Sequence, residues 1–350
     1  MASNSTPRVS IIILNWNGME DTIECLDSLK KITYPNYEVI VVDNGFEGNE
    51  ADFLEEKYKS YIGLIINKEN LGFAEGNNVA IREIIKTKTS DYILTLNNDI
   101  TVEPDFLAEL IKATQRHPEA GSIQCKMVWA QDKSLIDNAG LKFFKPGLVF
   151  DRGRFKPVEN YNREEEILGC CAGACLYKRE ALEDIRIDDD YFDKDFFCSY
   201  EDMDLALRLQ WMGWKSWYCP KAIVYHQKGA ATGLGSSFII FHNRRNQIWV
   251  GIKNFPFCFL LKNLPGLLLS DIIQIGLDFL RKRPIGTIII GMKGKFDGYF
   301  SSGKMLRKRK KIPKRVSFSE IEKFFISSWS LKTIKEMKSY LGKQFKYEPR

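Results

Sequence analysis

The stretch that decides the fold is Val9-Ser10-Ile11-Ile12-Ile13-Leu14-Asn15-Trp16-Asn17-Gly18. Val9 to Leu14 is a continuous apolar run, as expected for a strand buried on both faces. It breaks into Asn, Trp, Asn and Gly, and a helical spacing follows at Ile23, Leu26 and Leu29. Moving outward, Tyr37 to Val42, Ile62 to Ile66 and Tyr92 to Leu96 read as three more strands. Val79 to Ile85 reads as helical, as does Asp105 to Gln115 behind Pro104. Strands alternating with helices predict an α/β layer fold with a mostly parallel central sheet and helices on both faces.

Between Trp129 and Leu168 polar residues dominate, and hairpins and loops are expected there. Regular signals return at Cys170 to Tyr177, Ser199 to Met212 and Ser237 to Ile252. Beyond Asn254 the chain turns apolar, mixed with Gly, Pro and Lys. A boundary near Lys253 is expected, dividing a catalytic region (1–253, with halves at about 1–128 and 129–253) from a C-terminal region (254–350). With 44% hydrophobic and 27% charged residues the chain is neither disordered nor fibrous. None of its eight Cys forms a Cys-x-x-Cys pair, so zinc-ligand spacing is absent and free thiols in a reducing cytoplasm are expected. Met1 to Arg8 is short and polar, so no secretory signal is expected.

In an open parallel sheet ligands bind at the carboxyl ends of the strands. Here those ends are Leu14-Asn15-Trp16-Asn17-Gly18, Asp43-Asn44-Gly45, Asn67 followed by Asn70-Leu71-Gly72-Phe73, and Asn97-Asn98-Asp99. Asn, Asp and Gly form turns wherever they fall, but four such ends on one rim describe a polar ligand site. A carboxylate such as Asp43 accepts a base N–H or a ribose hydroxyl, and Asn offers a donor and an acceptor to a pyrimidine edge. Asp99 is a hard oxygen ligand suited to Mg²⁺ or Mn²⁺ beside a diphosphate.

The joint order of these segments, with Asn70 to Asn78, Gly169 to Leu176 and Tyr200-Glu201-Asp202-Met203-Asp204-Leu205-Ala206-Leu207-Arg208, resembles glycosyltransferase family 2, its rhamnosyltransferase-like branch above all. The likeness covers roughly the first 250 residues. The resemblance implies a GT-A fold, inversion at the anomeric carbon, a nucleotide-sugar donor and a divalent metal. Carried over by residue, Asp43 matches the position that reads the base, and Asn97-Asn98-Asp99 stands in the Asp-x-Asp place. Asp202 matches the catalytic base, and His226 a late histidine that completes the metal site. The donor contacts are then expected at Asn15, Asp43, Asn70, Gly72, Asn77, Asn97, Asn98 and Asp99, and the metal at Asp99 and His226. Two departures stand out. Asn97 replaces the first acid, leaving Asp99 as the one direct carboxylate on the metal, and Gly45-Phe46-Glu47 replaces the usual small hydroxyl residues.

Local readings compete with these roles. Ser199-x-x-Asp202 fits a helix capping box, and Asp204 with Arg208 an ordinary i,i+4 pair. Arg244 and Arg245 suit either a phosphate or a solvated helix face, and Gly229 to Gly233 a loop closing over the diphosphate. The best candidate for a membrane span, Phe255 to Leu280, carries Lys262, Asn263, Pro265, Asp271, Gln274 and Asp278, so a span is not expected. Apolar residues flanked by Lys262, Arg281, Lys282 and Arg283, with the run Arg307 to Lys311 and Lys314-Arg315 carrying much of the net charge of +6, instead predict contact with an anionic membrane surface through 254–315. That run lacks interleaved aromatics, so nucleic acid is not expected. The sequence therefore predicts a cytoplasmic enzyme, peripheral on the inner membrane face, that glycosylates a glycan or polyprenyl-diphosphate-linked acceptor. A homodimer stays open. The rival readings are a sugar nucleotidyltransferase, which the Asn-Trp-Asn-Gly turn does not suit, and a sugar- or lipid-binding scaffold.

Overall fold

The computed structural model describes residues 6–326 except 46–47, 49, 145–147, 228–235 and 281–282. The loop Gly229 to Gly233, the Phe46-Glu47 departure and the Arg281-Lys282 flank lie outside the described residues. Strands β1 (Val9–Asn15), β2 (Tyr37–Asn44), β3 (Ile62–Asn67) and β4 (Tyr92–Asn97) run parallel in the order β4-β1-β2-β3, so the four polar ends do share one rim. Helices α1 (Met19–Leu29), α2 (Glu50–Tyr58) and α3 (Gly72–Thr87) are the crossovers. Alternation along β1 explains why its run is apolar throughout. Val9, Ile11 and Ile13 enter one core with Leu26 and Leu29 of α1 and Leu54 of α2, while Ile12 enters the other with Ile81 and Ile84 of α3.

Beyond β4 the sheet becomes mixed. A short β5 (Ile100–Val102) is followed by α4 (Phe106–Arg116), β6 (Ala120–Trp129), β7 (Ile136–Asn138) and a two-stranded pair, β8 (Leu141–Phe144) with β9 (Leu148–Asp151). Then come β10 (Glu165–Ile167), β11 (Ala174–Lys178), α5 (Arg179–Ile185), α6 (Glu201–Trp211) and β12 (Lys215–His226). Strand β11 is antiparallel to β4 and β6, and β12 is parallel to β6 but antiparallel to β5 and β10. Ten strands form this sheet among the described residues.

The C-terminal region is helical: α7 (Ser237–Asn254), α8 (Phe257–Leu280), α9 (Ile285–Phe300), α10 (Ser302–Arg309) and α11 (Phe318–Glu322). It does not hang free. Phe255, Phe259, Met305, Ile312, Ile321 and Phe325 share a core with Phe143, Met203 and Leu207, and Phe143 stands 4.8 Å from Phe255 and 4.5 Å from Phe325 between ring centroids. Helix α9 approaches α7 so closely that a Cβ on Gly294 would come within 2.5 Å of Phe241 O.

One expectation is corrected here. Much of the basic run is engaged by the protein itself rather than presented to an anionic partner, although Arg307 and Lys310 are exposed. Lys308 pairs with Asp193 and Asp195, Arg309 donates to Ile252 O at 2.9 Å, Lys311 pairs with Asp188 at 2.7 Å, and Lys314 lies over the Trp211 ring. One helix, over Phe257–Gly276, is long and apolar enough to cross a membrane by length and composition, a weak sign when it stands alone. Pro265 does not break it, and its acids face protein: Asp271 pairs with Lys295 at 2.6 Å and Asp278 with Arg244 at 2.8 Å. Its other side exposes Leu261, Leu268, Ile272 and Phe279, continued on α9 by Ile285, Phe296 and Phe300.

Candidate active site

The antiparallel register of β5 with β12 pairs Ile100 with His226 and so sets the imidazole beside Asp99. His226 Nε2 lies 3.1 Å from Asp99 Oδ1, and Asp137 Oδ2 lies 2.7 Å from His226 Nδ1. Burial favours the neutral ring, but the two carboxylates outweigh it and push His226 up to about 9. Burial likewise raises Asp99, yet the facing imidazolium wins and holds it below the ordinary carboxylate value. A carboxylate and an imidazole at one spot, with a second carboxylate fixing the far ring nitrogen, suit a divalent cation and its outer support. Among the described residues no group of three or more His, Cys, Asp or Glu converges as a complete cage. Two protein ligands fit a site that a diphosphate completes.

Asp202 reaches the same region from the other direction. Helix α6 begins at Glu201 with Tyr200 as its N-cap at φ 70°, so Ser199 makes no capping box. Asp202 Oδ1 accepts from Met203 N at 2.7 Å and the carboxylate also accepts from Ala172 N. Gly173, the next residue, accepts at its carbonyl from Asn97 N at 2.8 Å. The Ala172-Gly173 dipeptide thus separates Asp202 from the strand end that carries Asp99. The Cys171 thiol, raised by its burial, is raised further by Asp202, Asp151 and Asp137 together. Asp202 itself is pushed up to about 7, first by burial and then by Asp151, against backbone N–H bonds that favour its charged form. It is partly exposed where its neighbour Glu201 is buried.

The Asn side chains of the rim are tied into the protein. Asn15, fully buried, donates to Glu50 Oε2 and accepts from Thr22 Oγ1, both at 2.9 Å. Asn98 donates to Gly18 O and Thr22 Oγ1, fastening the β1 turn to the end of β4. Asn70 Oδ1 accepts from Asn44 Nδ2 at 3.0 Å and from Gly72 N at 2.8 Å. Asn77 donates back to Phe73 O at 2.8 Å within α3. Asp43 is buried at the end of β2. Gly72 has φ +76°, and a Cβ there would come within 2.6 Å of Phe197 O, so this glycine lets the α3 turn abut the segment leading to Asp202.

Sequence reasoning missed Asp137, Asp151 and the whole of the support behind Asp202. A single buried acid between Ile136 and Asn138 was the available signal for Asp137. Arg244 and Arg245 are neither solvated nor free for phosphate: Arg244 binds Asp278, and Arg245 donates to Asp195 O at 3.2 Å and Phe196 O at 3.1 Å. The Asp204–Arg208 pair is fully buried and shares Asp204 with Lys253 at 2.8 Å and Asn254 at 2.9 Å.

Comparison with known proteins bears on this arrangement. The sequence profile described as glycosyl transferase family 2 matches residues 10–186. The chain is 30% identical over 227 residues to rhamnosyltransferase WbbL of Escherichia coli strain K12, covering 62% of this chain and 83% of that protein. It is 26% identical over 249 residues to an N-acetylglucosaminyl-diphospho-decaprenol L-rhamnosyltransferase of Mycobacterium tuberculosis, covering 65% and 79%. It also spans 25% of the length of an uncharacterized Sinorhizobium fredii protein, 26% identical over 243 residues and 65% of this chain. A crystal structure of GalNAc-T7 with UDP, GalNAc and Mn²⁺ superposes with a TM-score of 0.57 at 15% identity, over 72% of this chain and 48% of that one, a likeness of fold.

Proposed function

The chain belongs to glycosyltransferase family 2, and from that premise we propose that it is an inverting transferase that moves a sugar from a dTDP-rhamnose or UDP-hexose type donor to a hydroxyl of a glycan or polyprenyl-diphosphate-linked acceptor. The observation that carries the reading is the approach of His226 to Asp99, backed by Asp137, one loop dipeptide away from Asp202. The decaprenol-linked acceptor in the name of the mycobacterial relative supports a lipid-linked acceptor, and the GalNAc-T7 complex supports a divalent cation with a nucleotide donor.

In this reading Asp202, ionised, accepts the proton of the acceptor hydroxyl, and the oxygen attacks the anomeric carbon from the face opposite the diphosphate. Asp99 and His226 hold a divalent cation, Mg²⁺ or Mn²⁺, which when bound supplies charge neutralisation for the departing diphosphate. Asp137 orients His226 by fixing its Nδ1. Asp43 and Asn97 face the donor, while Asn15, Asn70, Asn77 and Asn98 shape the rim that receives it. The division near Lys253 is one of role rather than of packing, since the region after it completes the core under α6. A thermal-shift screen of dTDP- and UDP-sugars with Mg²⁺ or Mn²⁺ tests the reading, because a bound donor raises the melting temperature by mass action. A shift without donor hydrolysis would favour a binding scaffold instead, and no shift with any donor would refute the reading.

The apolar side of α8 and α9 supports a peripheral seat on the cytoplasmic membrane face. Its acids turn inward to Lys295 and Arg244, so the exposed side is apolar and suited to lying in the interface. Flotation of the full chain with anionic liposomes is expected to fall in the pair Ile272→Glu with Phe296→Glu. Equal flotation of the variant and the parent would remove the helix pair from this role.

A further inference from the structure

Three of the four residues leading into α6 lie in the left-handed half of backbone space: Phe197 at φ 64°, Ser199 at 66° and Tyr200 at 70°. None is glycine. Phe197, with ψ −64° and with Cys198 N donating to Phe196 O at 2.8 Å, is the centre of a positive-φ γ-turn, the strained form of that turn. Side chains of this size occupy such conformations only where the surroundings over-determine them.

One side chain supplies most of that determination. Asn246, fully buried on α7, directs Nδ2 at three carbonyls: Phe196 at 2.9 Å, Cys198 at 2.8 Å and Ser199 at 2.7 Å. Its Oδ1 accepts from Arg245 Nε at 2.9 Å, and the same guanidinium donates to Asp195 O and Phe196 O. From the opposite side, Phe197 O accepts from Ala74 N at 3.1 Å, at the α3 turn that Gly72 lets approach. Asp202 lies two residues beyond Tyr200.

We propose that Asn246 is a positioning residue for the transfer reaction: it fixes the backbone from Phe196 to Ser199 and so sets where α6 begins and where Asp202 points. The proposal rests on Asp202 as the base. The residue type is the one the task requires. A primary amide brings two N–H donors without charge, whereas a carboxylate would face three carbonyl oxygens and an apolar side chain would leave the Cys198 and Ser199 carbonyls without this donor.

The test compares full-length Asn246→Ala, Asp202→Asn and the core variant Leu107→Ala. Nucleoside-diphosphate release is measured from dTDP-rhamnose, UDP-glucose and UDP-galactose with Mn²⁺, using the donor that the parent turns over fastest. Displacing a reacting group by about 1 Å costs on the order of 10²-fold, so kcat of Asn246→Ala is expected to fall by about that factor with donor KM little changed. Hydrogen exchange is expected to quicken over residues 196–203. Leu107, buried in the core on the far side of the sheet, is expected to lower the melting temperature yet leave kcat and that exchange as in the parent. Ser199→Gly in the Asn246→Ala background is expected to recover part of kcat, because glycine holds φ 66° without a clamp. It also serves as the measured variant if Asn246→Ala does not fold. A kcat within about twofold of the parent, or an equal loss in Leu107→Ala, overturns the proposal. Normal turnover by Asp202→Asn overturns the base assignment instead, and the exchange pattern then still decides whether Asn246 holds the segment.

Discussion

Replacing Asp202 with Asn is expected to stop turnover and stabilise the protein, and the stabilisation has a defined pH dependence. The Asp202 carboxyl is pushed from an ordinary value of 3.8 up to about 7 by burial and by Asp151. A raised acid is neutral in the fold over a range where it is ionised in the unfolded chain, so it contributes no penalty below about pH 4 and a growing one up to about pH 7. Across about 3 units at 1.36 kcal/mol each, the penalty reaches about 4 kcal/mol above pH 7. For a chain of this length that is a shift of about 5 °C in melting temperature. Asn is neutral at every pH and nearly the shape of the protonated acid. Thermal melts of parent and variant should therefore coincide near pH 4 and separate progressively, the variant melting higher, until the gap levels off above pH 7. A pH-independent gap, or a parent that melts higher at pH 8, would refute the claim that the fold holds this carboxylate at a cost for the sake of a base.

The remaining expectations concern the same groups. Since the base must be ionised, log kcat/KM should climb with pH and flatten near pH 7, and Asp151→Asn should move that rise to lower pH; an unchanged rise would detach Asp151 from the base. Asp137→Asn should raise the Mn²⁺ concentration needed for half activity by about 10–100-fold while excess Mn²⁺ restores the rate, which a titration of activity against metal reads directly. Lys253→Ala removes the cation shared by Asp193 and Asp204, which keep Lys308 and Arg208, and should cost about 1–3 kcal/mol in denaturant unfolding. A loss under about 1 kcal/mol would mean that water reaches the pair.

Much of the fold was legible because it is local. The β1 run, the three strands after it and the crossover helices α1 and α3 follow from apolar periodicity between turn residues, whereas α2 went unread, and the rim of polar strand ends follows from the parallel order of the strands. What could not be read is what depends on register between distant segments. His226 meets Asp99 because β12 pairs antiparallel with β5 across more than a hundred residues; the family resemblance named the two together, but no periodicity announces such a pairing. Asp137 is invisible for the same reason. The Asn-rich ends were legible as a site but not atom by atom. Asn15 and Asn98 spend their amides on Glu50, Thr22 and Gly18, because a turn that presents a ligand face must itself be held rigid.

The basic run shows the converse error. Seven cations within nine residues, read as charge alone, suggest an anion outside the molecule. In the fold Lys308, Lys311 and Arg315 meet Asp184, Asp188, Asp193 and Asp195, acids clustered ahead of α6, while Arg309 turns to backbone carbonyls and Lys314 to the Trp211 ring. The acid segment and the basic segment are complementary, and one ties the other down. Lys308 reaches Asp193, Asp193 reaches Lys253, and Lys253 reaches Asp204 one turn into the helix that carries Asp202. The helices after Asn254 are therefore part of what holds Asp202, the proposed base, in place. A truncation at that boundary would disturb the proposed base and the proposed membrane seat together, so only point changes on the exposed side of α8 and α9 can separate the two.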